Sequence, residues 1–243
     1  MTISNLQATG ADALPSTLAI AVLASERGSN LKALIDARDA GKLAINIVLV
    51  ASDKADAAAL TLARDAGIAT LALDPRDFAS RADFDRELFA HIAKAGPQLI
   101  VLAGFMRILD AAAIAPWQGR MINIHPSLLP KYPGLHTHRR ALRAGDAEHG
   151  CSVHFVSAVL DGGPVIAQVR LLLQADDDED RLAARLLPME HQLLTAVVAA
   201  IAAAELQLVA NSVHYRGQAL HQPLQLDSNV GLHSASNSDT GQT

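Results

Sequence analysis

The sequence predicts an α/β fold with a mostly parallel central sheet and helices on both faces. From residue 18 to residue 104, short apolar runs alternate with stretches of helical pattern. Strands separated by helices of this length indicate right-handed βαβ units whose parallel sheet is buried on both faces. Half of the residues are apolar but only 3% are aromatic. The core is therefore expected to be packed from Ala, Leu, Val and Ile.

The elements of the first half follow in order. The apolar runs predict strands at 18–24, 45–52, 69–73 and 98–104. The stretches between them predict helices at 30–41, 55–67 and 82–96. This regular alternation is the pattern of a Rossmann-like domain.

The second half is less regular. It predicts a short helix at 109–115, a strand at 120–124, a proline-rich loop at 126–134 and a helix over 138–145. Strands at 152–157 and 165–173 flank a Gly-Gly turn and so predict a β-hairpin, which a long helix over 179–204 follows.

One domain is expected, because two independent cores would each be small in a chain of 243 residues. It is predicted to span residues 18–217. Residues 1–17 are polar and are predicted to form a disordered N-terminal arm. Residues 218–243 are rich in Gln, Ser, Asn and Gly and are predicted to form a disordered polar tail.

Charge and cysteine content narrow the class of protein. The net charge of −5 is spread along the chain without a polybasic run, so neither nucleic acid nor a membrane is the expected partner. A single cysteine, Cys151, is typical of a reducing compartment and is expected to be a core residue rather than a nucleophile. No apolar segment near the start approaches the ~20 residues of a membrane span, and no export signal is evident. A cytoplasmic location is expected.

A candidate phosphate site follows the first strand. Gly28, Ser29 and Asn30 lie where a helix begins, and a helix N-terminus offers unpaired N–H groups to an anion. The alternative is an ordinary helix cap by Ser29 or Asn30. A dinucleotide site would need G-x-G-x-x-G here, and only one glycine is present, although Asp53 lies near the position of a ribose-binding acid. The loop thus favours a monophosphate over NAD.

Asn123 and His125 form the strongest candidate constellation. Residues i and i+2 of a strand project to the same side, so both face the crevice at the carboxyl end of the sheet, while Ile124 faces away. An amide donor beside a titratable donor is what stabilisation of a tetrahedral oxyanion requires.

Asp161 precedes the turn Gly162-Gly163-Pro164. If this turn folds over the end of the strand, the carboxylate can pair with His125 and favour the protonated imidazole. The alternative is an aspartate that merely begins a turn.

Several histidines raise the question of a metal. His136, His138, His149 and His154 have neither helical H-x-x-x-H spacing nor a cysteine partner, so no metal is expected. Two of them, with Lys131, Arg139 and Arg140, predict a locally basic wall for an anionic substrate. An ordinary solvated helix face explains the two arginines equally well.

The motifs together resemble the phosphoribosylglycinamide formyltransferase family, the folate-dependent transformylases of purine synthesis. They are GSN at 28–30, LAGFMRIL at 102–109, NIHPSLLPKYPGLHTHR at 123–139, SVHFV at 152–156, LDGGP at 160–164 and MEH at 189–191. The resemblance covers roughly residues 18–217, and the pair NIHPSLLPKYPG and LDGGP is its most specific part.

The resemblance implies an activity and roles for matching residues. The activity is transfer of the formyl group of 10-formyltetrahydrofolate, a co-substrate, to the amine of N1-(5-phospho-D-ribosyl)glycinamide, with no metal. Asn123, His125 and Asp161 are the implied catalytic residues. The implied substrate-binding residues are Gly28, Ser29, Asn30 and Glu190. The implied folate-binding residues are Arg81, Met106, Arg107, Ile108, Leu109 and Asn123.

Alternatives remain within and outside this family. Formyltetrahydrofolate deformylase shares the Asn, His and Asp constellation but uses water, and methionyl-tRNA formyltransferase adds a C-terminal tRNA domain. A nucleotide-sensing module and an NAD-dependent oxidoreductase are the rivals of other classes. The chain departs from the family pattern SGxGSN at Glu26 and Arg27, and a carboxylate near a phosphate is unfavourable unless it points away. A monomer or weak homodimer is expected.

Overall fold

The central sheet carries the functional end of the molecule. The computed structural model describes residues 17–227 and 231–234. Its strands, in chain order, are β1 (Leu18–Leu23), β2 (Ile45–Ser52), β3 (Thr70–Ala72), β4 (Leu99–Leu102), β5 (Met121–His125), β6 (Glu148–Phe155), β7 (Val165–Leu172), β8 (Leu206–Val209), β9 (Ser212–Tyr215), β10 (Gln218–Ala219), β11 (Leu224–Asp227) and β12 (Gly231–His233). The α-helices are α1 (Ser29–Asp39), α2 (Ala58–Asp65), α3 (Arg81–Ala95), α4 (Ala111–Ile114), α5 (Thr137–Ala144) and α6 (Glu179–Ala202).

The strand order of the sheet is β12-β11-β7-β6-β5-β4-β1-β2-β3 among the described residues. Strands β3, β2, β1, β4 and β5 are parallel neighbours. From β5 onwards the sheet turns antiparallel, through β6 and β7. The predicted mixed α/β fold, including the hairpin and the long helix, is confirmed. β5 therefore lies where the parallel strands meet the antiparallel strands β6 and β7, and β11 pairs in parallel with β7 beyond them.

Each face of the sheet has its own apolar layer. In β1, Ile20 and Val22 pack into one layer, which includes residues of α1, α2 and α6. Ala21 and Leu23 pack into the other, where residues of α3 supply much of the apolar surface. This division follows from the two-residue period of a strand. All four side chains are fully buried, so β1 is covered on both faces as predicted.

The predicted C-terminal tail at 218–243 needs correction. β11 adds to the central sheet beside β7, with Leu224 opposite Ala167, and β12 pairs with β11. Leu224 is completely buried. The polar composition did not predict this strand, because the strand forms by backbone hydrogen bonds to the edge of β7 and not by burial of many apolar side chains. Residues 228–230 and 235–243 lie outside the described residues.

Two other features differ from the sequence-based expectation. A small sheet of β8, β9 and β10 follows α6, and the sequence pattern had not predicted these strands. The strand predicted at 152–157 begins earlier, at Glu148. The N-terminal arm predicted at 1–17 lies outside the described residues except for Thr17.

Candidate active site

The end of β5 presents the two candidate catalytic side chains to one cleft. Asn123 and His125 both line a cavity of about 520 Å³, and Ile124, which also contributes to the lining, packs into the apolar layer that contains residues of α6. The alternation predicted from the strand is therefore observed. His125 is only 6% exposed, whereas Asn123 is half-buried. The cleft lies beyond the carboxyl ends of β4 and β5, which is where open α/β sheets bind ligands.

The turn after β6 brings Asp161 to this cleft. Asp161 Oδ2 lies 3.5 Å from His125 Nδ1, and Asp161 Oδ1 lies 3.6 Å from His154 Nε2. Oδ2 also accepts a 2.8 Å hydrogen bond from the Gly134 N–H. Asp161 has a φ of 50°, an uncommon conformation for a residue other than glycine. The aspartate is thus held over the imidazole from two sides, which is more than beginning a turn requires.

The pKa of His125 is lowered from its usual value, although Asp161 favours the protonated form as expected. Burial is the largest cause, because it disfavours the charged imidazolium. The hydrogen bond to the Tyr132 carbonyl and the charge of Asp161 both raise the pKa, but they do not outweigh burial. Asp161 thus acts in the expected direction within a site whose net effect is opposite.

Asp161 itself is ionised more readily than usual. Burial opposes ionisation, but the adjacent His154 side chain and the hydrogen bond from the Gly134 N–H, together with nearby His125, lower the pKa of Asp161. The site therefore holds a carboxylate beside an imidazole that is neutral more often than usual.

His154 belongs to the site, although the sequence offered it only as one of several histidines. The strand pairing places it directly opposite Asn123. Its Nδ1 lies 2.9 Å from the Phe155 carbonyl, so this nitrogen carries the proton and Nε2 accepts from Asn123 Nδ2 at 3.1 Å. The amide is oriented, and its second N–H stays available. A histidine inside the apolar strand SVHFV was the signal that could have identified it.

Of the glycine-containing loop, Asn30 lines the cleft, whereas Gly28 and Ser29 do not. Gly28 has a φ of 75°, and a Cβ there would lie 2.8 Å from the Cα of Ala59, so glycine is required. Gly28 is also the N-cap of α1, and no side chain caps this helix. The alternative of a cap by Ser29 or Asn30 is therefore wrong. The uncapped N-terminus remains able to bind an anion.

Asn30 and Glu190 meet in the cleft. Asn30 Nδ2 donates to Glu190 Oε2 at 3.4 Å, while the buried Asn30 Oδ1 has no partner among the described residues. Burial raises the pKa of Glu190, and the Asn30 hydrogen bond offsets this only in part. Both side chains line the cleft. The departures Glu26 and Arg27 are exposed, so their charges lie in solvent.

The segment after β4 forms the opposite wall. Met106, Arg107 and Ile108 line the main cleft. Arg107, Ile108 and Leu109 line a narrower cavity of about 80 Å³. This cavity reaches Asn123 and Asp161. Arg81 lies at the exposed first position of α3 and lines neither cavity. The structure thus brings together the predicted folate residues except Arg81.

Two contacts hold this segment in place. Ser25 Oγ accepts a 3.0 Å hydrogen bond from the Met106 N–H, and the buried Asp85 accepts one of 2.7 Å from the Asp110 N–H. The main chain between them is therefore fixed at both ends. Within the parts of the chain that the structure describes, no group of three or more His, Cys, Asp or Glu side chains is arranged to hold a metal.

Asn123, His125 and Asp161 at the carboxyl edge of an α/β sheet form a site that can stabilise an oxyanion, as enzymes that transfer acyl groups require. Residues 18–198 match the Formyl transferase family, and the chain belongs to this family.

Comparison with known relatives indicates which formyl transferases the chain is similar to. The chain is 50% identical over 201 residues to the phosphoribosylglycinamide formyltransferase of Escherichia coli K12, covering 83% of this chain and 95% of that protein. It is 49% identical over 174 residues to the trifunctional purine biosynthetic protein adenosine-3 of Drosophila melanogaster, covering 71% of this chain but 13% of that protein. The structure of the phosphoribosylglycinamide formyltransferase of Coxiella burnetii superposes with a TM-score of 0.81 at 47% identity, covering 84% of this chain and 95% of that one.

Proposed function

We propose that this protein transfers the formyl group of 10-formyltetrahydrofolate to the amine of N1-(5-phospho-D-ribosyl)glycinamide in purine biosynthesis. The observation that carries the proposal is the cleft in which Asn123, His125 and Asp161 meet, between Asn30 at the start of α1 and an apolar cavity. The particular activity is inferred from the names of the E. coli and C. burnetii relatives.

The ribonucleotide fits the polar end of the cleft. Its phosphate would bind to the N–H groups of Gly28, Ser29 and Asn30, where the uncapped end of α1 favours negative charge. Glu190 and Asn30 Oδ1, which has no partner in the part of the chain that the structure describes, would accept hydrogen bonds from the ribose hydroxyls or the amide. A substrate hydrogen-bond donor there would compensate a buried acceptor that is otherwise costly.

The folate fits the apolar end. Main-chain groups of residues 106–109 would pair with the donors and acceptors on the pterin edge, and Asn123 closes this end of the site. The cavity there measures about 80 Å³, whereas ligand sites usually measure about 300–1,000 Å³. A bicyclic ring therefore needs more space than this cavity gives, and outward movement of the exposed Val159 and Leu160 side chains would widen it while Asp161 keeps its contacts with Gly134 and His125. Arg81, which lies outside both cavities, would contact only the distal end of the folate.

The chemical step follows from the placement of donors. The neutral amine attacks the formyl carbon, the carbonyl electrons move to oxygen, and Asn123 Nδ2 and His125 donate hydrogen bonds to this oxyanion. The oxyanion then collapses, the bond from carbon to folate N10 breaks, N10 takes up a proton and the former amine loses one. Developing negative charge beside Asp161 shifts His125 towards its protonated form during the step.

The remaining properties are proposed on the same basis. No helix in the described residues is long and apolar enough to cross a membrane. We place the protein in the cytoplasm as a monomer or weak homodimer that binds small molecules and not nucleic acid. The net charge of −5 without a basic run supports the last of these.

The test is a formyl-transfer assay with purified protein. 10-Formyltetrahydrofolate is supplied with and without glycinamide ribonucleotide, and tetrahydrofolate, formate and the N-formyl product are each quantified. We expect tetrahydrofolate and the N-formyl product to appear in equal amounts and only with the ribonucleotide. Formate release at the same rate without it would instead establish a deformylase.

A further inference from the structure

A strained tyrosine contacts the catalytic histidine from behind. Tyr132 has a φ of 56°, a conformation that is rare for a bulky side chain. Its main-chain carbonyl lies 2.9 Å from His125 Nε2. Two residues later, the Gly134 N–H donates to Asp161. A single stretch of three residues therefore contacts both members of the His125–Asp161 pair.

The side chain of Tyr132 explains how this conformation is maintained. The phenol donates a 2.8 Å hydrogen bond to Asp146 Oδ2, and Lys131 Nζ lies 3.1 Å from Asp146 Oδ1. The Arg140 guanidinium stacks 5.0 Å above the ring and donates to the Pro133 carbonyl. Charge-assisted bonds of this kind are the stronger class of hydrogen bond. The anchor lies outside the cleft, because neither Tyr132 nor Asp146 lines it.

The consequence concerns which imidazole nitrogen carries the proton. A carbonyl only accepts, so Tyr132 requires N–H at Nε2 of His125. The neutral imidazole then has its lone pair at Nδ1, beside Asp161, and Nδ1 is the nitrogen that gains and loses a proton. Nδ1 lies 3.5 Å from Asp161, which is long for a hydrogen bond, so when Nδ1 is protonated its N–H can be shared with an oxyanion in the cleft. The anchor thus directs the titrating nitrogen to the reaction.

We propose that Tyr132 is a positioning residue, whose phenol bond to Asp146 holds its carbonyl on His125 Nε2 and thereby fixes the histidine tautomer. The consequence for catalysis rests on the proposed transferase function, but the tautomer is measurable without substrates. Failure of the transfer assay with wild-type protein would therefore count against the function and not against this inference.

The experiment compares Tyr132→Phe and Asp146→Asn with Tyr215→Phe, the one other tyrosine of the chain, which lies on β9. Histidine-labelled protein is studied by long-range ¹H–¹⁵N NMR, with His125 assigned from the His125→Asn variant, and kcat and KM are measured for both substrates. In wild-type and Tyr215→Phe protein, neutral His125 should carry its proton on Nε2.

In Tyr132→Phe, a mixture of tautomers should appear, kcat should fall about tenfold and each KM should stay within about twofold. Asp146→Asn should change the tautomer and kcat in the same direction and provides the test if Tyr132→Phe fails to fold. The inference is overturned if both folded variants keep the Nε2–H tautomer and a kcat within twofold of wild type.

Discussion

At the catalytic histidine, burial and two partners act in opposite directions. Burial lowers the pKa of His125, while the Tyr132 carbonyl and Asp161 raise it. A histidine that is mostly neutral before the reaction and is pulled towards protonation by a new negative charge responds to the transition state more than to the ground state. An interaction that is stronger in the transition state than in the ground state lowers the activation free energy of the transfer. Asp161 thus matters because it lies beside the nitrogen that titrates.

The substitution Asp161→Asn tests this role. It keeps the shape of the side chain and removes its charge, so kcat should fall by about 10²–10⁴ with much smaller changes in KM, as for other sites that lose an oriented carboxylate. Because Asp161 raises the pKa of His125, the histidine should titrate at more acidic pH, which NMR measures. Activity within threefold of wild type with an unchanged titration would reduce Asp161 to a turn residue.

Glu190 is predicted to serve binding at the expense of stability. Burial raises its pKa above 4.5, so the folded state holds this proton more tightly than the unfolded state. Stability contributed by the protonated group is therefore present at pH 4 and lost as pH rises through the raised pKa. Glu190→Gln removes the carboxylate that destabilises the folded state above the raised pKa, so Tm should increase at pH 7 and change less at pH 4. The KM for the ribonucleotide should rise, because Glu190 is proposed to bind it.

The control for Glu190 is Glu87→Gln, which changes a glutamate that is 51% exposed on α3. Calorimetry at both pH values and steady-state kinetics provide the measurements. A lower Tm for Glu190→Gln at pH 7, or an unchanged KM for the ribonucleotide, would contradict the prediction.

At the scale of elements, the sequence pattern predicted the strands and helices whose formation depends mainly on neighbouring residues. β1, β2, β4, β5 and α6 all follow from apolar runs and helical periodicity, and the placement of Asn123 and His125 follows from the two-residue period of β5. The contact between Asn123 and His154 depends on the register of β5 with β6, which one strand alone does not specify. The burial that lowers the pKa of His125 is likewise a product of several elements.

The turn at Gly163 should be intolerant of a side chain. A Cβ there would lie 1.9 Å from the Phe155 carbonyl oxygen, so the main chain carrying Asp161 would have to shift. Gly163→Ala should lower both Tm and kcat. In the control Gly96→Ala, the new Cβ meets open space and only the positive φ is unfavourable, at about 1–2 kcal/mol, so Tm should fall with kcat unchanged. Equal kcat in the two variants, measured beside their melting curves, would contradict this account.

At the scale of the whole molecule, the C-terminal residues complete the sheet. β11 covers the edge of β7, and an uncovered edge would present unpaired N–H and C=O groups to other chains. The sequence did not reveal this, because Leu224 and Leu226 are isolated apolar residues in a polar segment and their burial depends on a strand more than fifty residues away. Composition indicates what a segment can bury by itself, whereas Leu224 is buried because β11 pairs with β7.

Leu224→Ala tests whether this strand stabilises the fold. Leu224 is completely buried in the same apolar layer as α6, so truncation should leave a cavity and cost about 2–5 kcal/mol. For a domain of this size, Tm should then fall by at least about 4 °C. Leu172→Ala, on the neighbouring strand β7, removes a side chain that is 72% exposed and should change Tm by less than about 2 °C. Thermal unfolding followed by circular dichroism compares the two variants under one condition. If Leu224→Ala melts within 2 °C of wild type, β11 does not contribute to the stability of the sheet, and the sequence-based description of this segment as a disordered tail is the better one.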